Sequence, residues 1–286
     1  MTTTPDLTEY DVILLNSSAG KDSQAMLSHV VGLADEQGVD RSRIVVVHAD
    51  LGRVEWEGVR DLAAEQAAVY GLRFEVVERD EDLLDHVETR HATLQAQGKT
   101  DVAAWPSSTA RWCTSDHKTS QVAKLMTRLA DEHRAVHGKT AQVRILNCLG
   151  IRAQESPARA KKVPFSVDGP ATNGRRHVDR WLPIFDWKVE RVWQTIRDSG
   201  LRWHPAYDAG MPRLSCCFCV LAGRRELVLA ARLNPALAAE YVAVEDRIGK
   251  TFRQDLSMAE VVRQAAEPDA PADLEPLTLF DCAGAM

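Results

Sequence analysis

The chain lacks any stretch long and apolar enough to span a bilayer, and its start, Met1-Thr2-Thr3-Thr4-Pro5-Asp6, has no basic region followed by an apolar core. A transmembrane helix needs about 20 apolar residues, so a cytoplasmic protein without membrane contact is expected. Positive charge is not in excess: 35 Lys and Arg stand against 41 Asp and Glu, a formal net charge of −6. That balance argues against a mainly basic nucleic-acid binder, although local clusters such as Arg159 to Lys162 and Arg175-Arg176 can still meet phosphates. Cysteine is sparse, six in 286 residues, which does not suit a secreted disulfide framework; three of the six crowd into Cys216-Cys217-Phe218-Cys219 and point to metal or redox chemistry. No internal repeat is present. What the chain does have is 45% hydrophobic residues, enough to fill a substantial core as one large α/β domain or a domain with an appendage.

Apolar runs alternate with helix-period stretches. A strand at 11–17 precedes a helix at 22–36, a strand at 43–49 precedes a helix at 55–70, and a third strand follows at 73–78. Further strand and helix signals fall at 142–149, 117–134 and 189–199, the last after the run Leu182-Pro183-Ile184-Phe185. Strands separated by helices need crossovers, which favour a Rossmann-like parallel sheet with helices on both faces and ligands at the carboxyl ends of the strands. Residues 97–111 and 164–180 are rich in Gly, Pro, Ser, Thr and Asn with weak periodicity, and are expected to be loops able to order over a ligand. Residues 1–222 then form the main domain, 223–264 a helical extension, and 265–286 a linker and tail.

The most informative stretch is Ser17-Ser18-Ala19-Gly20-Lys21-Asp22-Ser23, a small-residue loop between the apolar run Val12-Ile13-Leu14-Leu15 and the helical run from Gln24. Such a loop leaves backbone N–H groups and the positive end of a helix dipole facing one spot, which suits a phosphate, and Lys21 with the hydroxyls of Ser17, Ser18 and Ser23 adds to the cradle. The first Gly and the spacing of GxxxxGK[ST] are missing, so it is not an ordinary Walker loop. The competing reading is a glycine-softened turn with no ligand. The segment resembles the SGGKDS pyrophosphate loop of the adenine nucleotide alpha hydrolase superfamily, with Ala19 in place of one Gly.

Later segments narrow the resemblance to the phosphoadenosine phosphosulfate reductase family. His48-Ala49-Asp50-Leu51-Gly52-Arg53-Val54-Glu55 is similar to its DTGxxxxE-like segment, with Leu51 where Thr is usual and Glu55 or Glu57 in the acidic place. Gly150-Ile151-Arg152-Ala153-Gln154-Glu155-Ser156 resembles GIRxxES, and Asp186-Trp187 through Trp193 resembles DWxxxDVW. His204-Pro205 through Cys219 resembles NPLYxxGxxRxGCxxC. Asp50, at a strand end, is placed to accept from an adenosine hydroxyl or to hold a magnesium-bound water; its alternative is a helix cap. Arg152 follows a strand and Gly150, so its guanidinium can clamp a phosphate or sulfate, or simply pair with Glu155. Arg111, Lys118 and Arg213 are further anion candidates. Asp186 reads as a helix cap, with Trp187 and Trp193 as packing residues, and Cys148 as core filler.

Cys216-x-x-Cys219 can hold two corners of a metal centre or form a thiol-redox pair. The resemblance implies Cys113 as a third thiolate and favours a [4Fe-4S] cluster over zinc, with Cys217 either a fourth ligand or a bystander. It also implies two activities. One is ATP α,β-bond cleavage with transfer of AMP, in sulfur transfer to an acceptor that in some relatives is nucleic acid, served by a sulfur or electron donor protein. The other is reduction of adenylyl sulfate or its 3′-phosphorylated form by a cysteine in a mobile tail. Asp281-Cys282 matches only the first residues of that tail and no His follows, and Trp112-Cys113 stands where cluster-bearing reductases have Cys-Cys, so adenylation is the first expectation. A non-catalytic nucleotide-binding subunit is the third reading.

Overall fold

The structure, a computed structural model, describes residues 4–138 and 140–267. Its six strands are β1 (Val12–Asn16), β2 (Ile44–Ala49), β3 (Arg73–Val77), β4 (Val143–Leu149), β5 (Phe165–Val167) and β6 (Arg176–Trp181). The helices are α1 (Lys21–Glu36), α2 (Val59–Val69), α3 (Leu83–Ala96), the short α4 (Trp112–Thr114), α5 (Ser120–His137), the short α6 (Pro157–Ala160), α7 (Val189–Ser199), α8 (Arg224–Leu233), α9 (Pro235–Ile248) and α10 (Met258–Ala265). Among the described residues the chain divides into two compact units, one built from residues up to Leu83 and from Arg111–His204, the other from Leu84–Ala110 and from Pro205 onward.

The first unit is the expected α/β fold. Its sheet runs in the order β3-β2-β1-β4-β6-β5, parallel throughout except for the antiparallel edge strand β5. Strands buried on both faces read as continuous apolar runs, and β1 and β2 do. Ile13, Leu15, Ile44 and Val46 face Met26, Val30, Ala67 and Val192 of α1, α2 and α7. Leu14, Val45 and Val47 on the opposite face meet Val122, Leu125, Met126 and Leu129 of α5. The chain winds from β1 outward to β3 and then returns to place β4 on the other side of β1. The strand order therefore reverses between β1 and β4, and ligands of open α/β sheets settle outside the carboxyl ends of the strands at that switch point.

The expected loop at 164–180 is instead largely ordered sheet: β5, a 3-10 turn at Gly169–Ala171, and β6 in parallel register with β4 from Val143↔Arg176 to Cys148↔Trp181. The pattern misleads because β6 buries charge. Arg176 donates to the carbonyls of Ala171 and Ala123 and to the Thr127 hydroxyl, so it is a structural clasp rather than a surface phosphate contact. Asp179 accepts from Tyr10 Oη at 2.9 Å. The helix expected from residue 55 starts at Val59, behind the left-handed Gly58 (φ 78°). Asp186 does not cap α7: Lys188 holds the cap position, and Gln154 Oε1 accepts from Val189 N at 2.9 Å.

In the second unit Trp105 stacks on Tyr241 with ring centroids 5.6 Å apart, meets Phe252 edge-on, and donates from Nε1 to the Lys250 carbonyl at 3.0 Å. The Glu245 carboxylate accepts the Met258 N–H that opens α10. Among the described residues no single helix is long and apolar enough to cross a membrane; α8 and α9 pass by length and composition only as a pair bent by 117°.

Candidate functional site

At the switch point the loop leaves β1 and enters α1 at Lys21. Ala19 takes φ 51°, a left-handed conformation, and is the one non-glycine residue with positive φ among the described residues. That region costs an alanine roughly 1 kcal/mol or more, a strain a glycine would not carry. The loop's hydroxyls hold the turn: Ser17 Oγ accepts from Ala19 N at 3.1 Å, Ser18 N donates to Ser23 Oγ at 3.2 Å, and Ser23 Oγ donates to the Gly20 carbonyl at 2.9 Å. The first N–H groups of α1 have no acceptor within the helix, so they form the anion-facing end of the loop.

Lys21 and Arg152 are buried, 5% and 4% exposed, and both reach Asp22. Lys21 Nζ lies 3.2 Å from Asp22 Oδ2, and Arg152 Nε donates to Asp22 Oδ1 at 2.5 Å. Two cations share one carboxylate, leaving this trio with net positive charge beside the helix terminus. Glu155 is not the guanidinium's partner; it accepts from the Arg152 backbone N–H at 2.8 Å and pairs with Arg159. Arg152 Nη1 also donates to Gln154 Oε1 at 2.7 Å. Gly150 makes the close approach possible, since a Cβ there would lie 2.9 Å from the carbonyl carbon and oxygen of Asp22. β1 and β4 are also tied at their ends by Asn16 Nδ2, which donates to Asn147 Oδ1 at 2.6 Å.

Asp50 ends β2. Its Oδ1 accepts from Gly52 N at 2.8 Å, and Oδ2 lies 3.4 Å from Arg60 Nη1. The sequence reading gave no separate role to His48, two residues earlier. Its ring is 1% exposed, with Nδ1 3.0 Å from the Ser17 carbonyl and Nε2 2.9 Å from Glu55 Oε2. The available signal was a lone histidine in the apolar run Ile44-Val45-Val46-Val47-His48-Ala49.

Cys113 belongs to the first unit and Cys216, Cys217 and Cys219 to the second. All four carry thiols rather than disulfides. Among the described residues no group of three or more His, Cys, Asp or Glu side chains is arranged to hold a metal ion. Cys148 is fully buried in β4, and burial pushes its thiol up, as core filler should be. Arg111 donates to the Thr114 hydroxyl at 3.1 Å, and Arg213 lies 3.7 Å from Glu226 in the second unit. Cys282 lies outside the described residues.

A family profile described as the phosphoadenosine phosphosulfate reductase domain matches residues 12–222, well over half the chain. The chain belongs to this family. It is 34% identical over 131 residues to an uncharacterized 37.8 kDa protein of Escherichia phage 186, covering 44% of this chain and 36% of the phage protein. It is 32% identical over 89 residues to adenosine 5'-phosphosulfate reductase of Allochromatium vinosum, covering 31% of each. The chain thus spans about a third of the length of these relatives. Phosphoadenylyl-sulfate reductase from Candida auris, solved as a phosphate complex, aligns at a TM-score of 0.44 and 13% identity, over 75% of this chain and 82% of that one.

In this member of the phosphoadenosine phosphosulfate reductase family, His48 has a pH signature. Burial acts against its charge, but the Glu55 carboxylate, the Ser17 carbonyl and the nearby charge of Asp50 outweigh it and raise its pKa. A raised folded value stabilises the fold fully below the unfolded pKa of about 6.5. That contribution is lost as pH rises through the folded value. The expected result is that the urea midpoint of the wild type exceeds that of Glu55→Gln most at pH 6, with the gap narrowing steadily at higher pH.

Proposed function

We propose that the chain binds an adenine nucleotide at the β1–β4 switch point and acts on ATP at its α,β bond. The acceptor's nucleophile attacks the α-phosphorus, the bond to the bridging oxygen breaks, and pyrophosphate leaves with the electron pair; the adenylated acceptor is thereby prepared for sulfur transfer. The observation carrying this reading is the Lys21–Asp22–Arg152 trio at the amino end of α1, with both cations buried. Lys21 and the first amides of α1 hold the leaving phosphates, and preorganised donors of this kind are effective because they need not reorganise during reaction. Arg152 fixes Asp22 and adds charge, while Asp50 accepts from the ribose. Mg²⁺, carried in on the phosphates, supplies further charge neutralisation. No step passes through a cluster.

Reduction of a sulfonucleotide is the second reading, supported by the similarity to an adenosine 5'-phosphosulfate reductase. Calorimetric titration of the full chain with ATP and Mg²⁺, adenylyl sulfate and its 3′-phosphorylated form separates the two. ATP is expected to bind at least about tenfold more tightly, a difference of about 1.4 kcal/mol. The reverse order would replace adenylation by reduction, and uptake of ATP without pyrophosphate release would leave a binding subunit.

A further inference from the structure

His48 sits where the two halves of the proposed nucleotide site meet. Ser17 opens the phosphate loop, extends the β1–β2 pairing through its N–H to the Val47 carbonyl at 2.8 Å, and through its hydroxyl holds the left-handed Ala19. Glu55 closes the turn that follows Asp50, with its N–H on the Gly52 carbonyl at 3.1 Å. One imidazole spans both: Nδ1 faces the Ser17 carbonyl at 3.0 Å, and Nε2 faces the Glu55 carboxylate at 2.9 Å. A carbonyl only accepts, so Nδ1 carries a proton, and the proton between Nε2 and Glu55 completes a continuous chain of donors and acceptors.

We infer that His48 is a positioning residue that couples the phosphate loop to the segment at 50–55, each ring nitrogen setting one half of the nucleotide site. It touches neither phosphate nor ribose; it acts through Ser17 on the loop amides and through Glu55 on the turn carrying Asp50. The inference rests on the nucleotide reading above. It gives the two ring nitrogens separable consequences. Loosening the Ser17 contact degrades the grip on phosphates, and loosening the Glu55 contact degrades the grip on the nucleoside.

The side chains of asparagine and glutamine separate the two. The amide of Asn places its donor about where Nδ1 sits, and the amide of Gln places its donor about where Nε2 sits. His48→Asn therefore keeps the Ser17 contact and loses Glu55, and His48→Gln does the opposite. The probes are inorganic pyrophosphate and adenosine, titrated calorimetrically into the full chain, with thermal melts run on each variant. His48→Gln is expected to weaken pyrophosphate about tenfold while leaving adenosine within about twofold, as losing one hydrogen bond on one side requires. His48→Asn is expected to do the reverse. A general loosening of the fold lowers both affinities together in step with the melting temperature and cannot produce this crossed pattern.

Parallel losses of both probes, or unchanged binding of both by folded variants, overturn the inference while the wild type's own binding keeps the nucleotide reading standing. Wild-type protein that takes up neither probe overturns both.

Discussion

Lys21→Ala is expected to lower pyrophosphate release from ATP by about 10²- to 10³-fold, the usual cost of removing one preorganised charge-stabilising donor, while leaving the fold cooperative. The second half follows from Asp22. With Lys21 gone, the half-buried Asp22 still holds Arg152 Nε at 2.5 Å, so its carboxylate keeps a partner, and the 3–5 kcal/mol or so that breaking a buried pair normally costs is avoided. Lys21→Arg restores charge but not geometry, because a planar fork cannot replace a compact ammonium in a 5% exposed position, and only partial recovery is expected. Cys282→Ala should leave pyrophosphate release nearly untouched under adenylation and stop sulfite formation under reduction. Measuring both products from both variants in one anaerobic preparation decides between the chemistries, and wild-type rates from Lys21→Ala would remove the loop from the mechanism.

How much of this was legible in the sequence depends on whether the stabilising partners are local. β1, β2, β3, β4 and α7 follow from apolar runs and helical period alone, and their bounds agree with the structure to within about two residues, as such boundaries allow. β6 was hidden because, beside local partners such as Ala171 and His177, several groups that allow Arg176 and Asp179 to be buried lie far off in the chain, Ala123 and Thr127 on α5 and Tyr10 before β1. No window around residues 176–181 contains that information, and the polar letters there read as a loop. The phosphate loop was legible because its chemistry is written in one contiguous stretch. The pairing of Arg152 with Asp22 was not: Glu155 lies three residues away and Asp22 lies 130 away, and a local rule prefers the former. His48 and Glu55 lie seven residues apart in the sequence, yet only the fold shows that the ring bridges Ser17 and Glu55.

Gly150→Ala is expected to destabilise the first unit by about 2 kcal/mol, in the range for forcing extra volume into a packed site, and to weaken nucleotide binding more than any surface change. A methyl carbon at Gly150 would lie 2.9 Å from the Asp22 carbonyl group and 3.0 Å from the Ser23 nitrogen. These are backbone atoms of the first turn of α1, so no rotamer change relieves the clash; either β4 or the start of the helix must move. Lys21 and Asp22 move with the helix, and Arg152 follows Gly150 on the other side, so the same displacement stretches the 2.5 Å contact that orders the site. Gly32→Ala supplies the control on the same helix. An added carbon there meets nothing within 4 Å, and alanine in a helix interior gains up to about 1 kcal/mol over glycine. One substitution, made at two glycines beside or within α1, should thus shift the urea midpoint in opposite directions. Only the variant at Gly150 should lose ATP affinity, by about tenfold or more if the displaced turn forfeits one charge-assisted contact. Equal midpoints for the two variants would mean that β4 and α1 do not approach as closely as the switch-point geometry requires.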